Sequence, residues 1–296
     1  MSERNEHQAV RLRDGRLLGF ADYGDPDGAP LLFFHGEVGS RLLGRALDSA
    51  ARDRALRIVS PDRPGLGLSD FRPGRTIAEW PADVVELTGQ LGIGRFGVVG
   101  VSAGAPYALA CGWMVPERLT AVVVVSPALP PSMRERRPDT PRLERLLTRS
   151  ATQAPWTIRP VMTLLGNASR RSPEQAVDRM AASAGEADHA VFSRPEVRSM
   201  LTRSMTETFR SGSRGVAHDL RLLASNWGIP FDGVPTEVAV VRGEADAELT
   251  APGAQRLVDA LPHAYLRTVP GAGHHVALAE PGQVLDAVAR PRVQAE

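Results

Sequence analysis

The chain has 296 residues, 43% of them hydrophobic and 23% charged, which suits a globular protein of one large domain or a domain with an insertion. A formal charge of +1 gives no electrostatic case for nucleic acid or an anionic membrane surface. All side-chain cations other than histidine are arginines, which excludes a Schiff-base lysine, a pyridoxal phosphate anchor and a phosphate-loop lysine, and the single cysteine, Cys111, excludes an internal disulfide framework and a cysteine-based zinc site.

The first residues, Met1 to Gln8, are polar and mixed in charge, unlike the apolar core of a secretory signal. No apolar run reaches the length of a membrane span, so a cytoplasmic location is expected. Val10 to Arg13 and Leu17 to Tyr23, separated by Asp14-Gly15, read as a β-hairpin. Leu31 to Phe34 is a short buried strand running into the loop His35-Gly36-Glu37-Val38-Gly39-Ser40, where Ser40 can cap a helix carrying Leu42, Leu43, Ala46 and Leu47. Arg57 to Ser60 is the next strand, closed by the turn-rich Pro61-Asp62-Arg63-Pro64-Gly65. Thr76 with Glu79 is a capping-box pair opening a helix that turns Val84, Leu87 and Leu91 inward, with Pro81 in its first turns.

Phe96 to Val99 is a strand, and a helix follows Ser102 through Trp113. Ala121 to Val125 is a β-branched run suited to a central parallel strand. The rhythm breaks between about Leu129 and Ser225, where helical patterns recur without clear strands. Val238 to Val241 restores the strand pattern, followed by a helix near Gln255 to Leu261, a strand from Tyr265 to Val269 and a closing helix with Val284, Leu285 and Val288. Alternating strands and helices imply an α/β domain: a mostly parallel central sheet flanked by helices. The break implies a helical lid inserted after the sixth strand. The expected division is 1–128 with 226–296 for the sheet domain and 129–225 for the lid.

Four loops carry the chemistry. Gly100-Val101-Ser102-Ala103-Gly104 lies between a strand and a helix, the context a G-x-S-x-G turn needs to project a strained serine above a sheet. Its flanking positions must be small because they approach other backbone closely. Acyl transfer also needs donors aimed at the developing oxyanion, and the N–H groups of Ala103 and Glu37 are the candidates. His35, at a strand end, is read as structural. A base is expected in Gly271-Ala272-Gly273-His274-His275, with His274 favoured over His275 because the preceding glycines allow a tight loop. The loop after Val241 offers Glu244, Asp246 and Glu248, and Asp246 is favoured as the carboxylate that orients the base. His7, His189, His218 and His263 are read as surface or packing residues.

These segments together resemble the α/β-hydrolase superfamily: His35-Gly36 with Gly39-Ser40; Asp62-Arg63-Pro64-Gly65-Leu66-Gly67-Leu68-Ser69; the serine elbow; and Gly243 to Asp246 followed by Gly271 to His274. Pro281 lies at the superfamily's usual offset from His274. The resemblance implies the α/β-hydrolase fold, a Ser102, Asp246 and His274 triad, an oxyanion hole from Glu37 and Ala103, no cofactor and no metal, with Asp62 and Gly65 shaping structure only. Glu37-Val38 departs from relatives with proline in the oxyanion loop, and Pro252 falls later than the usual proline after the acid. A serine at the elbow is unlike the aspartate of the superfamily's dehalogenases and epoxide hydrolases.

The expected partner is a small, largely apolar molecule carrying an ester-like bond, with carboxylesterase-like chemistry. Carbon–carbon hydrolysis, elimination or cyclisation and a slow-turnover receptor-like protein stand as alternatives, because fold does not fix reaction. Met133, Met162, Met180, Met200 and Met205 in the insertion suit either an adaptable pocket or the lid's own core, and Trp156 and Trp227 carry the same two readings. Cys111, behind the elbow, is read as a small buried hydrophobe. Oligomeric state is open between monomer and homodimer.

Overall fold

The computed structural model describes residues 3–134 and 155–289. Eight strands form one sheet: β1 Gln8–Arg11, β2 Leu17–Gly24, β3 Ala29–Phe34, β4 Leu56–Pro61, β5 Phe96–Val101, β6 Leu119–Val125, β7 Val238–Gly243 and β8 Ala264–Val269. Their order is β1-β2-β4-β3-β5-β6-β7-β8. The first two strands form the expected hairpin, pairing Gln8 with Phe20 and Arg11 with Leu17 across a turn in which Gly15 takes φ +89°. Beyond β2, which is antiparallel to β4, every neighbouring pair is parallel.

The alternation of side chains along each strand builds two cores. Leu32, Phe34, Val98, Val122, Val124, Val238 and Val240 face one side. There they meet helices α2 (Trp80–Gln90) and α3 (Ala105–Met114). Leu31, Phe33, Val99, Val123, Val125, Ala239 and Val241 face the other. That side is covered by α1 (Asp48–Arg52) and by a C-terminal helix (Pro281–Ala289) through Val284 and Leu285. Strands covered on both faces need apolar residues throughout, which is why β6 and β7 read as continuous valine-rich runs.

Two helix starts differ from the sequence expectation. Ser40 does cap its segment, its hydroxyl accepting from the Leu42 N–H at 3.4 Å, but residues Arg41–Leu47 form a tighter 3-10 helix before α1 begins. The Glu79 carboxylate accepts from the Thr76 N–H at 2.7 Å. The Thr76 hydroxyl, however, donates to that same carboxylate at 3.1 Å, so it does not cap the helix amides, and α2 starts at Trp80.

Between β6 and β7 lie five helices among the described residues: α4 Pro155–Arg171, α5 Pro173–Ser183, α6 Glu186–Phe192, α7 Pro195–Thr208 and α8 Arg214–Leu223. Residues 135–154 of the expected lid lie outside the described residues. The helices form two small apolar clusters that also take in Leu66, Val38, Leu43 and Leu278 from the sheet domain's loops. Met162 and Met205 are buried inside these clusters, and Met180 packs against one of them. Trp227 is buried against the sheet domain's core and Trp156 is exposed. Among the described residues no helix is long and apolar enough to cross a membrane.

Candidate active site

β3 lies between β4 and β5, so the chain leaves it toward one edge and returns on its other side. Crevices at the carboxyl ends of strands form where the order reverses in this way. β5 ends there, and Ser102 follows with φ +50°, a conformation a non-glycine residue holds only when its surroundings over-determine it. Two backbone N–H groups donate to the Ser102 carbonyl: that of Ala105, and that of Ala128 at 3.1 Å. The flanking glycines are required by contact with other backbone. A Cβ on Gly100 would lie 2.5 Å from the Gly104 carbonyl oxygen, and one on Gly104 would lie 2.1 Å from that of Phe34.

The structure brings Ser102, His274 and Asp246 into one line. His274 Nε2 lies 3.3 Å from Ser102 Oγ, and His274 Nδ1 lies 3.1 and 3.2 Å from the two Asp246 oxygens. Asp246 is buried and fixed from behind: the N–H groups of Glu248 and Leu249 both donate to its Oδ1 at 2.9 Å. The loops carrying these two residues are joined. The Ala245 N–H donates to the Ala272 carbonyl at 2.9 Å, and the Gly271 N–H donates to Glu244 Oε2 at 3.0 Å. Glu244 therefore shapes the loop, and Asp246 is the carboxylate that meets the imidazole.

Electrostatics at the pair follow from this geometry. Burial opposes charge on His274, yet the Asp246 hydrogen bond and the charges of Glu248, Asp246 and Asp188 outweigh it and raise its pKa to about 9. Burial likewise works against ionised Asp246, and the His274 contact prevails, holding its carboxyl below the usual range. Glu248 Oε2 stands 3.5 Å from His274 Nε2, the nitrogen that faces Ser102. Glu248 thus favours the imidazolium form from the exposed side of the ring.

The loop that holds Glu37 lies beside the serine. A Cβ on Gly36 would be 3.7 Å from that of Ser102, with Glu37 next in the chain and Val38 at φ +47°. Ala103, the other candidate donor, is buried at the start of the turn after the elbow. Arg63 fixes this loop, donating to the carbonyls of His35 at 2.5 Å and Gly36 at 3.1 Å. Its Nε donates at 2.7 Å to Asp219 of α8. Arg75 and Tyr107 also donate to Asp219, and the two guanidinium groups hold its buried carboxyl well below the usual range against the cost of burial. His35 is fully buried, its Nδ1 3.0 Å from the Gly36 carbonyl, and burial pushes its pKa far down. It is a neutral structural residue.

Reading the residues in order does not point to Arg63, Asp219 or Asp188 as neighbours of the site. Arg63 had a signal, its place in the turn after β4. Asp188 and Asp219 sit in amphipathic helices among other acids, where nothing local distinguishes them. Among the described residues no group of histidine, cysteine and acids could hold a metal ion.

Known proteins are similar to this chain in family and fold. The family described as alpha/beta hydrolase matches residues 31–287. A proline iminopeptidase of Xylella fastidiosa (strain 9a5c) is 31% identical over 130 residues, covering 40% of this chain and 39% of the relative's length. A thermophilic esterase from Thermogutta terrifontis superposes with a TM-score of 0.67 at 22% identity, covering 96% of each chain. An enol-lactonase from Burkholderia xenovorans LB400 superposes with a TM-score of 0.70 at 18% identity, covering 96% of this chain and all of the other (100%).

Proposed function

The chain belongs to the alpha/beta hydrolase family, and from that premise we propose that it is a serine hydrolase that cleaves an ester-like bond (ester, thioester or lactone) of a small, largely apolar molecule through an acyl-enzyme. The observation that carries this reading is the line from Ser102 Oγ through His274 to Asp246, with 3.3 and 3.1 Å between successive partners. That is the geometry of a nucleophile, its base and the group that orients the base.

In the proposed cycle, Asp246 accepts the His274 Nδ1–H and fixes the tautomer in which Nε2 is free to take a proton. Nε2 removes the Ser102 hydroxyl proton as Oγ bonds to the carbonyl carbon. The oxygen that becomes negative accepts hydrogen bonds from the Glu37 and Ala103 N–H groups. Collapse expels the alcohol, thiol or lactone oxygen, which takes the proton from Nε2. Water then loses a proton to Nε2 and attacks the acyl carbon; the acyl–Oγ bond breaks, Nε2 returns the proton to Oγ, and the acid leaves. The family and the solved structures at 22% and 18% identity support the scaffold, and the ester-like substrate is our reading of the site. We read the helices between β6 and β7, within residues 129–225, as a lid over the serine. Their clusters include Val38 of the oxyanion loop and Leu278 just after His274.

Ser102→Ala should lower kcat on a p-nitrophenyl ester by about 10⁴- to 10⁶-fold, as for other triad nucleophiles. Undiminished turnover in that variant would rule out the serine mechanism. A second reading, a binding protein that turns over slowly, draws on Glu248 Oε2, which stands 3.5 Å from His274 Nε2 and favours the protonated ring. An imidazole raised to about 9 is mostly protonated at neutral pH and is then no base. Multiple turnovers of the ester at pH 7 would exclude it, whereas a stoichiometric burst that stops at one acyl group per chain would favour it.

A further inference from the structure

The base loop is held from outside the sheet domain. Asp188, in the first turn of α6, is buried, and its two oxygens are fully used on that loop. The His274 N–H donates to Oδ2 at 2.9 Å and the His275 N–H donates to Oδ1 at 2.9 Å. The His275 Nδ1 lies a further 3.4 Å from Oδ2. On the same face of α6, Phe192 meets the His275 ring edge-on with 4.7 Å between ring centres. Gly273 is part of the fit, since a Cβ there would lie 2.5 Å from the Asp188 carboxyl carbon.

We infer that Asp188 is a positioning residue for His274, so that the helical segment between β6 and β7 sets the place of the base as well as covering the site. The inference rests on the reading of His274 as the base. Besides the His274 ring's own bond to Asp246 and the packing of Ala272 and Val276 in the core, the backbone of the base loop has two hydrogen-bond ties to the loop after β7: Ala245 to Ala272, and Gly271 to Glu244. Both lie before His274, while the amides of His274 and His275 themselves are tied to Asp188. Any rotation of α6 away from the sheet would therefore carry the imidazole with it or release it, and misplacement of a reacting group by about 1 Å can cost 100-fold in rate. Asp188 also acts on His274 through charge. The ionisable groups facing that ring are Asp246 and Glu248 from the loop after β7, Asp188 from α6, His275 from its own loop and Ser102 from the elbow.

The test compares Asp188→Asn with the wild-type chain on a p-nitrophenyl ester across pH, using Ser102→Ala as the blank. An asparagine keeps the shape but offers one acceptor where two amides need one each. The expected result is a kcat lowered by about 10- to 100-fold with KM changed by less than about twofold, and an acid limb of kcat/KM moved to lower pH because one anion has gone. A double-mutant cycle guards against mere misfolding. Gly273→Ala should be costly in the wild-type background and nearly harmless beside Asp188→Ala, since the atoms it meets are those of Asp188. A folded Asp188→Asn enzyme with wild-type kcat and an unmoved acid limb would overturn the inference, as would a Gly273→Ala cost that is the same with and without the Asp188 carboxyl. Hydrolysis that survives Ser102→Ala would instead defeat the serine mechanism itself.

Discussion

Ser102, Asp246 and His274 stand on loops placed by the strand ends, and those strands are locked between two apolar cores. Asp188 bonds the His274 loop directly, and Asp219 holds Arg63 against the His35-Gly36 backbone, both from helices whose own apolar clusters are small. The first arrangement gets its precision from packing, which is non-directional and spread over many side chains. The second gets it from a few charge-assisted hydrogen bonds that are buried and directional. Damage should therefore spread differently. A change at a strand end should cost the most stability, whereas a change at one of the aspartates should cost less of it and disturb a particular loop.

The largest effect should come from the elbow. Gly104→Ala forces a Cβ to 2.1 Å from the Phe34 carbonyl oxygen and 2.8 Å from that of His35, both of them backbone. More than about 4 kcal/mol of stability should be lost, read as a collapse of the urea midpoint or an insoluble chain. Asp219→Asn comes next. It leaves Arg63 and Arg75 buried beside a neutral amide, so about 3–5 kcal/mol should go, together with ester turnover as Arg63 loses its hold on the His35-Gly36 backbone. A variant that keeps both wild-type stability and wild-type turnover would remove Asp219 as a support of that loop.

A smaller and opposite effect is expected at Glu248. With His274 raised to about 9, kcat/KM on a non-ionising ester should climb through neutral pH and reach half its maximum near pH 9. The sign for stability is reversed. The raised pKa contributes stability that is complete below pH ~6.5 and lost as pH rises toward 9. Glu248→Gln removes one of the charges that favour the imidazolium, so the activity midpoint should move to lower pH and turnover at pH 7 should rise. The shift should be modest, because the Glu248 side chain is 56% exposed and solvent screens it. A rate profile that does not move would mean that Glu248 is a bystander. The smallest effect belongs to Met162→Leu in an apolar cluster of the helices between β6 and β7, which should cost less than about 1.5 kcal/mol in thermal unfolding.

The same contrast explains what could be read from the sequence. Strand identity, the hairpin and the elbow were legible because alternation and glycine placement are local properties of the chain. Ser102, Asp246 and His274 were legible because each sits just after a strand in a loop with few competitors. Asp246 was separable from Glu244 and Glu248 only by preference, and their different tasks, tying Gly271 and facing Nε2, needed three dimensions. The roles of Asp188 and Asp219 were not legible at all. Each partner lies more than 80 positions away in the chain, and no spacing rule links a helix carboxylate to a distant loop amide. Thr76 shows the limit at short range, since the right residue pair closed a turn but did not open the helix.

Cys111 is sealed behind the elbow, and burial drives its thiol so far up that no useful thiolate forms. With no lysine in the chain, maleimides and side-chain acylating reagents find almost nothing to attack. A cysteine engineered on α6 and another near Glu248 could then carry a matched pair of dyes without background labelling. The distance between helix and loop could be followed in real time while an ester is consumed.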